Sequence, residues 1–159
     1  MHFEHDHHRA VYQQVRGYLS ELFEEVAREE TDGHFYVQYG STVLEIGVET
    51  YGPQEVLVQL VAYCVQGVHP DEELLVALLQ ANHTLPIGAF SLIGDDVFFS
   101  YQLLGHHLDR KNLLSAIGAV ANISDEYDDR IVGRFGGQRA LDRIRGTGGR
   151  QRRSQAVEG

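Results

Sequence analysis

Two kinds of hydrophobic spacing follow each other along the first half of the chain. From about Arg9 to Glu30, apolar residues recur every three or four positions, which is typical of one buried helix face. Between residues 34 and 67, β-branched and aromatic residues alternate with polar ones, and Gly40-Ser41 and Gly52-Pro53 interrupt them. We predict one helix followed by three antiparallel strands, near residues 34–39, 42–51 and 55–67.

The second half predicts a helix, a hairpin and a long helix. Pro70, followed by three acidic residues, is typical of a helix start, and this helix should stop near Asn82. Two strands, GAFSLIG and DVFFSYQLL, flank a Gly94-Asp95-Asp96 turn. Asp109 is a good N-cap for the last helix, which runs to about Val132. The predicted fold is α+β, an antiparallel sheet of about five strands with helices packed on it, in the order α-β-β-β-α-β-β-α.

The length of 159 residues fits one domain. We place a single α+β domain at residues 9–145. We expect residues 1–8 to be a His-rich disordered arm, since they show no apolar periodicity. Residues 146–159, which contain almost no apolar residues, should form a disordered Arg-rich tail.

Charge is distributed unevenly. From Gly133 onward seven Arg face two acidic residues, a net charge of plus 5, whereas the preceding 132 residues carry six basic and 21 acidic groups, a net charge of minus 15. The overall net charge of minus 10 repels phosphates, so direct nucleic acid binding is not expected. The basic tail fits an acidic protein, or the acidic body of this chain, at least as well as it fits phosphates.

Cysteine content and hydropathy indicate a cytoplasmic protein. Cys64 is the only cysteine, so no intramolecular disulfide can form, and its apolar strand predicts a poorly reactive thiol. No apolar run approaches the roughly 20 residues of a membrane span. The first ten residues lack the apolar segment of a secretory signal.

The order of elements, together with short sequences at the joints between them, resembles the YbjN family of bacterial regulators, whose fold is similar to that of type III secretion chaperones. The matching sequences are Gly40-Ser41-Thr42, Asn82 with Pro86, Gly88-Ala89-Phe90, Asp125 with Tyr127, and Phe135-Gly136-Gly137. The resemblance covers roughly residues 10 to 140. It implies a homodimeric protein that binds a peptide or a regulator and has no catalytic residues.

The residues themselves also indicate a protein that is not an enzyme and needs no cofactor. No nucleophile elbow, P-loop, dinucleotide-binding glycine motif, zinc-protease motif or EF-hand is present. The one dense set of potential metal ligands is His2, His5, His7 and His8. A frayed terminus cannot hold ligands in fixed geometry, so we favour a solvated arm without metal. A metal-responsive sensor that uses these histidines is the alternative function.

The third strand is apolar on both faces. One face carries Val56, Val58, Leu60, Ala62 and Cys64, and the opposite face carries Leu57, Gln59, Val61, Tyr63 and Val65. Either helices cover both faces, or the second face binds a protein partner or a second copy, which we favour. The predicted surface is Tyr36, Leu57, Val61, Tyr63 and Phe98. The predicted function is a homodimeric, chaperone-like or regulatory adaptor whose sheet face and strand edges bind a protein or peptide.

Overall fold

The computed structural model of the protein describes residues 2–28 and 33–140, in which three helices accompany one antiparallel sheet. The helices are α1 (Asp6–Leu22), α2 (Glu72–Thr84) and α3 (Arg110–Phe135). The strands are β1 (Ala27–Arg28), β2 (Phe35–Tyr39), β3 (Thr42–Tyr51), β4 (Glu55–Gln66), β5 (Ala89–Ile93), β6 (Asp96–Leu104) and β7 (Gln138–Arg139). A 3-10 helix, Gly105–His107, joins β6 to α3.

The sheet has the strand order β1-β2-β3-β4-β6-β5, and β7 pairs with the end of β4. The α+β class and the five predicted strands are confirmed, with strand boundaries within about two residues of those predicted. The two strands that sequence analysis missed, β1 and β7, are each two residues long. The long central strand β4 pairs with β3 and β6 along most of its length, so it lies at the middle of the sheet.

Helices α1 and α3 cover one face of this sheet. Val11 of α1 lies against Gly105, where an added Cβ would be 3.0 Å from its methyl group. From α3, the Ser124 carbonyl accepts a hydrogen bond from the Cys64 thiol at 3.5 Å. Helix α2 lies beside the edge strand β5, where the Asn82 side chain bonds to the backbone of Phe90. The core therefore forms between this sheet face and helices α1 and α3, and Leu74 and Leu78 of α2 are buried in the same core.

The prediction that residues 1–8 form a disordered His-rich arm needs correction, because helix α1 begins at Asp6 and not near Arg9. The His5 side chain caps it by accepting a hydrogen bond from the His8 N–H at 3.1 Å. His8 is 5% exposed, and its Nε2 lies 3.0 Å from the Val48 carbonyl oxygen. Residues 6–8 are thus part of the folded domain. The prediction missed this because the partner of His8 lies 40 positions away.

Helix α1 also ends earlier than predicted, at Leu22 rather than Glu30. Phe23 is extended, and Ala27 then pairs with Tyr36 across β1 and β2. Strand pairing therefore overrides the helical spacing that Val26 would continue. The predicted Arg-rich tail, residues 146–159, lies outside the described residues. In residues 2–28 and 33–140, none of the helices has the length and apolar character that crossing a membrane requires.

Capping explains where the other two helices start and stop. Asp71 and Asp109 accept hydrogen bonds from the third residues of α2 and α3, at 2.9 and 2.7 Å. Pro70, predicted at the first helical position, therefore precedes the cap and lies two positions before the first residue of α2. Gly136 ends α3 as predicted, with a φ of 77° that favours glycine.

Several residues of the family resemblance make contacts between helices and strands. Ser41, in the turn between β2 and β3, donates a short hydrogen bond to Asp125 of α3. Asn82 uses its amide oxygen and nitrogen to bond the N–H and carbonyl of Phe90, at 2.6 and 3.1 Å. The Phe90 ring then contacts Tyr127, with ring centroids 5.0 Å apart. These residues fix the relative placement of helices and strands, so the resemblance reflects the fold.

Candidate functional site on the outer face of the sheet

The two sides of β4 differ sharply in exposure. Val56, Val58, Leu60 and Ala62 are 0% exposed and face the helices, whereas Leu57, Val61 and Tyr63 on the opposite side are partly exposed. We call that opposite side, with its neighbours from β2, β3, β5 and β6, the outer face. A bulge between Tyr63 and Val65 turns Val65 inward, where it is 0% exposed. The assignment of Val65 to the second face was therefore wrong.

The structure places all five residues of the predicted surface on the outer face. Val61 lies opposite Glu45 of β3, and Glu45 lies opposite Tyr36 of β2. The Tyr63 and Phe98 rings meet edge to face, with centroids 5.1 Å apart. Leu57, Val61, Tyr63 and Phe98 are partly exposed, but Tyr36 is only 9% exposed. Four of the five side chains are therefore partly exposed to solvent.

Glu45 places a carboxylate within this apolar surface. His34 lies with Nδ1 2.6 Å from one carboxylate oxygen, and the Tyr63 hydroxyl donates a short hydrogen bond to the other. Burial alone would raise the pKa of Glu45, but its hydrogen bonds with His34 and Tyr63 outweigh burial and hold the pKa below the usual value. Glu45 is therefore ionised at neutral pH.

His34 connects Glu45 to a second carboxylate. Its other ring nitrogen, Nε2, lies 3.8 Å from Glu49. The ring can span the two glutamates because residue 47, between them on β3, is glycine: an added Cβ would lie 3.1 Å from His34 Nε2. A glycine inside a strand often marks a close approach, as here. Sequence analysis missed this cluster, whose only signal was the alternation of Glu45 and Glu49 on the polar side of β3.

A third glutamate, Glu55, lies at the start of β4, with its carboxylate 3.0 Å from His106 Nδ1. Glu45, Glu49 and Glu55 thus all pair with histidine. The Arg ion pairs of the described residues instead involve acidic side chains of the helices, for example Arg110 with Glu21. The outer face is therefore apolar with an acidic character.

A second apolar surface, not predicted from sequence, lies on helix α2. Leu74 and Leu78 are buried, but Leu75 and Val76 are 44% exposed and Leu79 is 69% exposed. A possible signal was the number of apolar residues in α2, which exceeds what one helix face can bury. We call Leu75, Val76 and Leu79 the α2 stripe.

The histidines near the N-terminus have structural partners. His5 caps α1 and His8 bonds the Val48 carbonyl, while the His7 ring lies 4.3 Å from the ring of His106. Within residues 2–28 and 33–140, no three His, Cys, Asp or Glu side chains are arranged to hold a metal ion.

Two further groups have unusual pKa values on the helix side of the sheet. Burial raises the pKa of the Cys64 thiol to about 12, which fits the predicted low reactivity. Asp128 of α3 lines a small pocket with Cys64 and Ser124, and desolvation there raises its pKa to about 6.

Solved structures with similar folds include a type III secretion chaperone and a YbjN protein. A chain of the ExsC-ExsE complex aligns with a TM-score of 0.60 and 11% identity over 76% of this chain and 92% of that chain. The Yersinia pestis type III secretion chaperone SycH, solved with a fragment of YscM2, aligns with a TM-score of 0.55 and 16% identity over 73% and 98%. E. coli YbjN, described as a putative transcription regulator, aligns with a TM-score of 0.53 and 11% identity over 75% and 92%. At these identities the likeness shows the fold alone.

The sequence comparisons identify the family. No curated protein matches the chain in sequence. The model of one protein family, described as T3SS (YopN, CesT) and YbjN peptide-binding chaperone 1, matches residues 9–143, which is most of the chain. The chain therefore belongs to this family of peptide-binding chaperones, which confirms the resemblance found in the sequence.

Proposed function

We propose that this protein is a cytoplasmic, non-enzymatic chaperone or regulatory adaptor that binds a segment of another protein on the outer face of its sheet. The observation that carries the proposal is the contrast across β4. Its inner side chains are sealed under α1 and α3, while Leu57, Val61, Tyr63 and, on β6, Phe98 stay partly exposed. In the described residues no helix packs on that second side.

The chemistry of the outer face suits a polypeptide better than a small molecule. The exposed side chains spread over neighbouring strands of an open sheet and do not converge in a deep cavity. Tyr63 and Phe98 offer a rigid aromatic pair, the kind of side chain that anchors many protein interfaces. The edge strand β5 can add backbone hydrogen bonds in the manner of strand addition. Structural neighbours solved with a second protein, ExsC with ExsE and SycH with a YscM2 fragment, support the same proposal.

Selection of peptides from a random library on the full chain, followed by fluorescence anisotropy, tests the proposal. We expect selected peptides to lose at least about tenfold in affinity when Tyr63→Ala and Phe98→Ala are combined, because a central aromatic pair contributes more than 1.4 kcal/mol to typical interfaces. The control is Leu114→Ala, a 38% exposed residue of α3. Equal binding by both variants and the native chain would reject the outer face as the site.

We further propose that the chain forms a homodimer through the α2 stripe. The stripe exposes Leu75, Val76 and Leu79, and Ile93 of the neighbouring hairpin is 61% exposed. Glu73 and Arg134, which form a salt bridge beside it, could supply a polar rim to a self-complementary contact. Burying this surface against a second copy leaves the outer face free for a partner.

Sedimentation velocity tests the dimer. We expect the native chain to sediment as a dimer and Leu79→Asp to sediment as a monomer, because a carboxylate would be desolvated in the interface. Leu114→Asp, on a different helix, should stay dimeric. A native chain that is a monomer at micromolar concentration contradicts the proposal.

A further inference from the structure

We propose that the outer face selects basic amphipathic segments, in which Arg or Lys side chains alternate with apolar ones. This inference rests on the proposed function and names the chemistry of the partner. The proposed partner of the outer face is a positively charged segment of another protein. On this face Glu45 and Glu49 lie next to apolar side chains of β4.

The glutamates lie beside the apolar anchors and not at a separate edge. Glu45 pairs directly with Val61, and Glu49 pairs directly with Leu57. Along β3 the two glutamates are four residues apart, about 13 Å at about 3.3 Å per residue. An apolar side chain that contacts Val61 or Leu57 therefore places its neighbours next to a carboxylate.

The charge of these carboxylates is only partly compensated by the chain itself. Glu45 is ionised, because its hydrogen bonds with His34 and Tyr63 stabilise the carboxylate. Glu49 is more open, with a side chain that is 56% exposed and lies 3.8 Å from the imidazole of His34. Among the side chains that the structure describes, no Arg or Lys forms an ion pair with either glutamate. A basic side chain of a partner would complete these ion pairs, and an acidic one would be repelled.

Peptide charge tests the inference with defined probes on the full chain. The probes are three labelled peptides of about a dozen residues, in which Val alternates with Arg, with Gln or with Glu. We expect the Arg peptide to bind at least about tenfold more tightly than the Gln peptide at low salt, and the Glu peptide to bind most weakly. The preference should shrink near 1 M salt, where the screening length is only about 3 Å.

Matched variants locate the preference. The double variant Glu45→Gln/Glu49→Gln should bind the Arg and Gln peptides alike. The control Glu21→Gln/Glu126→Gln removes the same charge from two helix glutamates that are 60% and 57% exposed, and should keep the preference. Because Gln at position 45 can disturb the buried hydrogen bonds, Glu49→Gln alone serves as a second variant. It should lose part of the preference with an unchanged thermal midpoint.

Each outcome decides between the occupants. If the Gln peptide binds as well as the Arg peptide, the inference fails while the proposed function stands. If neither peptide binds, both fail. If the full chain carrying Arg150→Gln, Arg152→Gln and Arg153→Gln gains affinity for all three peptides, the chain's own Arg-rich residues are the occupant and the inference is overturned. If Glu49→Gln changes the sedimentation of the chain, a second copy occupies the face, which also overturns it.

Discussion

The two sides of β4 are built from similar residues but have different surroundings. Leu60 and Leu57 are three positions apart, and one is fully buried under helices while the other is partly exposed beside Glu49. Hydrophobic content alone therefore does not tell which side of a strand is core. The inner side adds side chains from α1 and α3, whereas the outer side adds glutamates, glutamines and aromatic residues of neighbouring strands. The outer side thus remains a mixed apolar and polar surface whose strand residues are partly exposed.

Cysteine accessibility gives the sharpest contrast between the two sides. Cys64 faces the helices with a pKa of about 12, so at pH 8 its thiolate should be about a thousandfold rarer than that of an ordinary thiol of pKa 9.0. We expect the native chain to react with a thiol reagent only after unfolding in urea. A Cys64→Ser/Ser91→Cys chain, whose new thiol lies on the exposed Ser91 position opposite Phe98, should react at once. Rapid labelling of native Cys64 contradicts the contrast.

Leucine truncation on β4 compares the same side chain on the two sides. Leu60→Ala should lower the free energy of unfolding by about 3 kcal/mol, because it opens a cavity in the core. Leu57→Ala should lower it by less than about 1 kcal/mol, since its side chain is already partly exposed. Urea denaturation measures both. Equal losses would mean that the outer side is as well packed as the inner one.

The pH dependence of stability should differ between Asp128 on the helix side and Glu45 on the outer face, because their pKa values are shifted in opposite directions. The pKa of Asp128 is raised from 3.8 to about 6, so between pH 4 and 6 the folded state binds more protons than the unfolded state and stability falls as the pH rises. Asp128→Asn should therefore stabilise the fold at pH 7 by about 1 kcal/mol, reduced by solvent screening. The gain should disappear below about pH 4. A variant that is less stable at pH 7 would show that the ionised carboxylate has a favourable partner.

Glu45 should respond to pH in the opposite direction. Because its pKa is lowered, its contribution to stability is present above the ordinary value of 4.5 and is lost as the pH falls through the folded pKa. Glu45→Gln should cost about 1 kcal/mol at pH 7, as the hydrogen bonds from His34 and Tyr63 lose their charged acceptor. The cost should vanish at low pH. Thermal melts over a pH series check this, and a cost that stays constant with pH contradicts the assignment.

Local patterns predicted most of the fold. Alternation between residues 34 and 67 predicted three strands to within a residue or two, and Asp109 and Gly136 marked the ends of the last helix. The errors arose where distant residues decide. His8 is ordered by its hydrogen bond with the Val48 carbonyl, and β1 forms by pairing with β2. Val65 faces the core because of a β-bulge that has no recognisable signal in the local sequence.

The sequence predicted the apolar residues of the candidate site but not its histidine and glutamate cluster. The excess of apolar residues on β4 pointed to the outer face, and Tyr63 and Phe98 do meet there. The pairing of His34 with Glu45 and Glu49 depends on strand register and on the space above Gly47. The α2 stripe was not predicted, although α2 contains more apolar residues than one helix face can bury.

Intermolecular NOEs between the alternating Val and Arg peptide and a methyl-labelled chain test the central claim most directly, since they report contacts within about 5 Å. The outer-face account predicts NOEs to the methyl groups of Leu57 and Val61, with none to Val58 or Leu60 on the other side of the same strand. NOEs confined to the α2 methyl groups of Leu75 and Leu79 would contradict it.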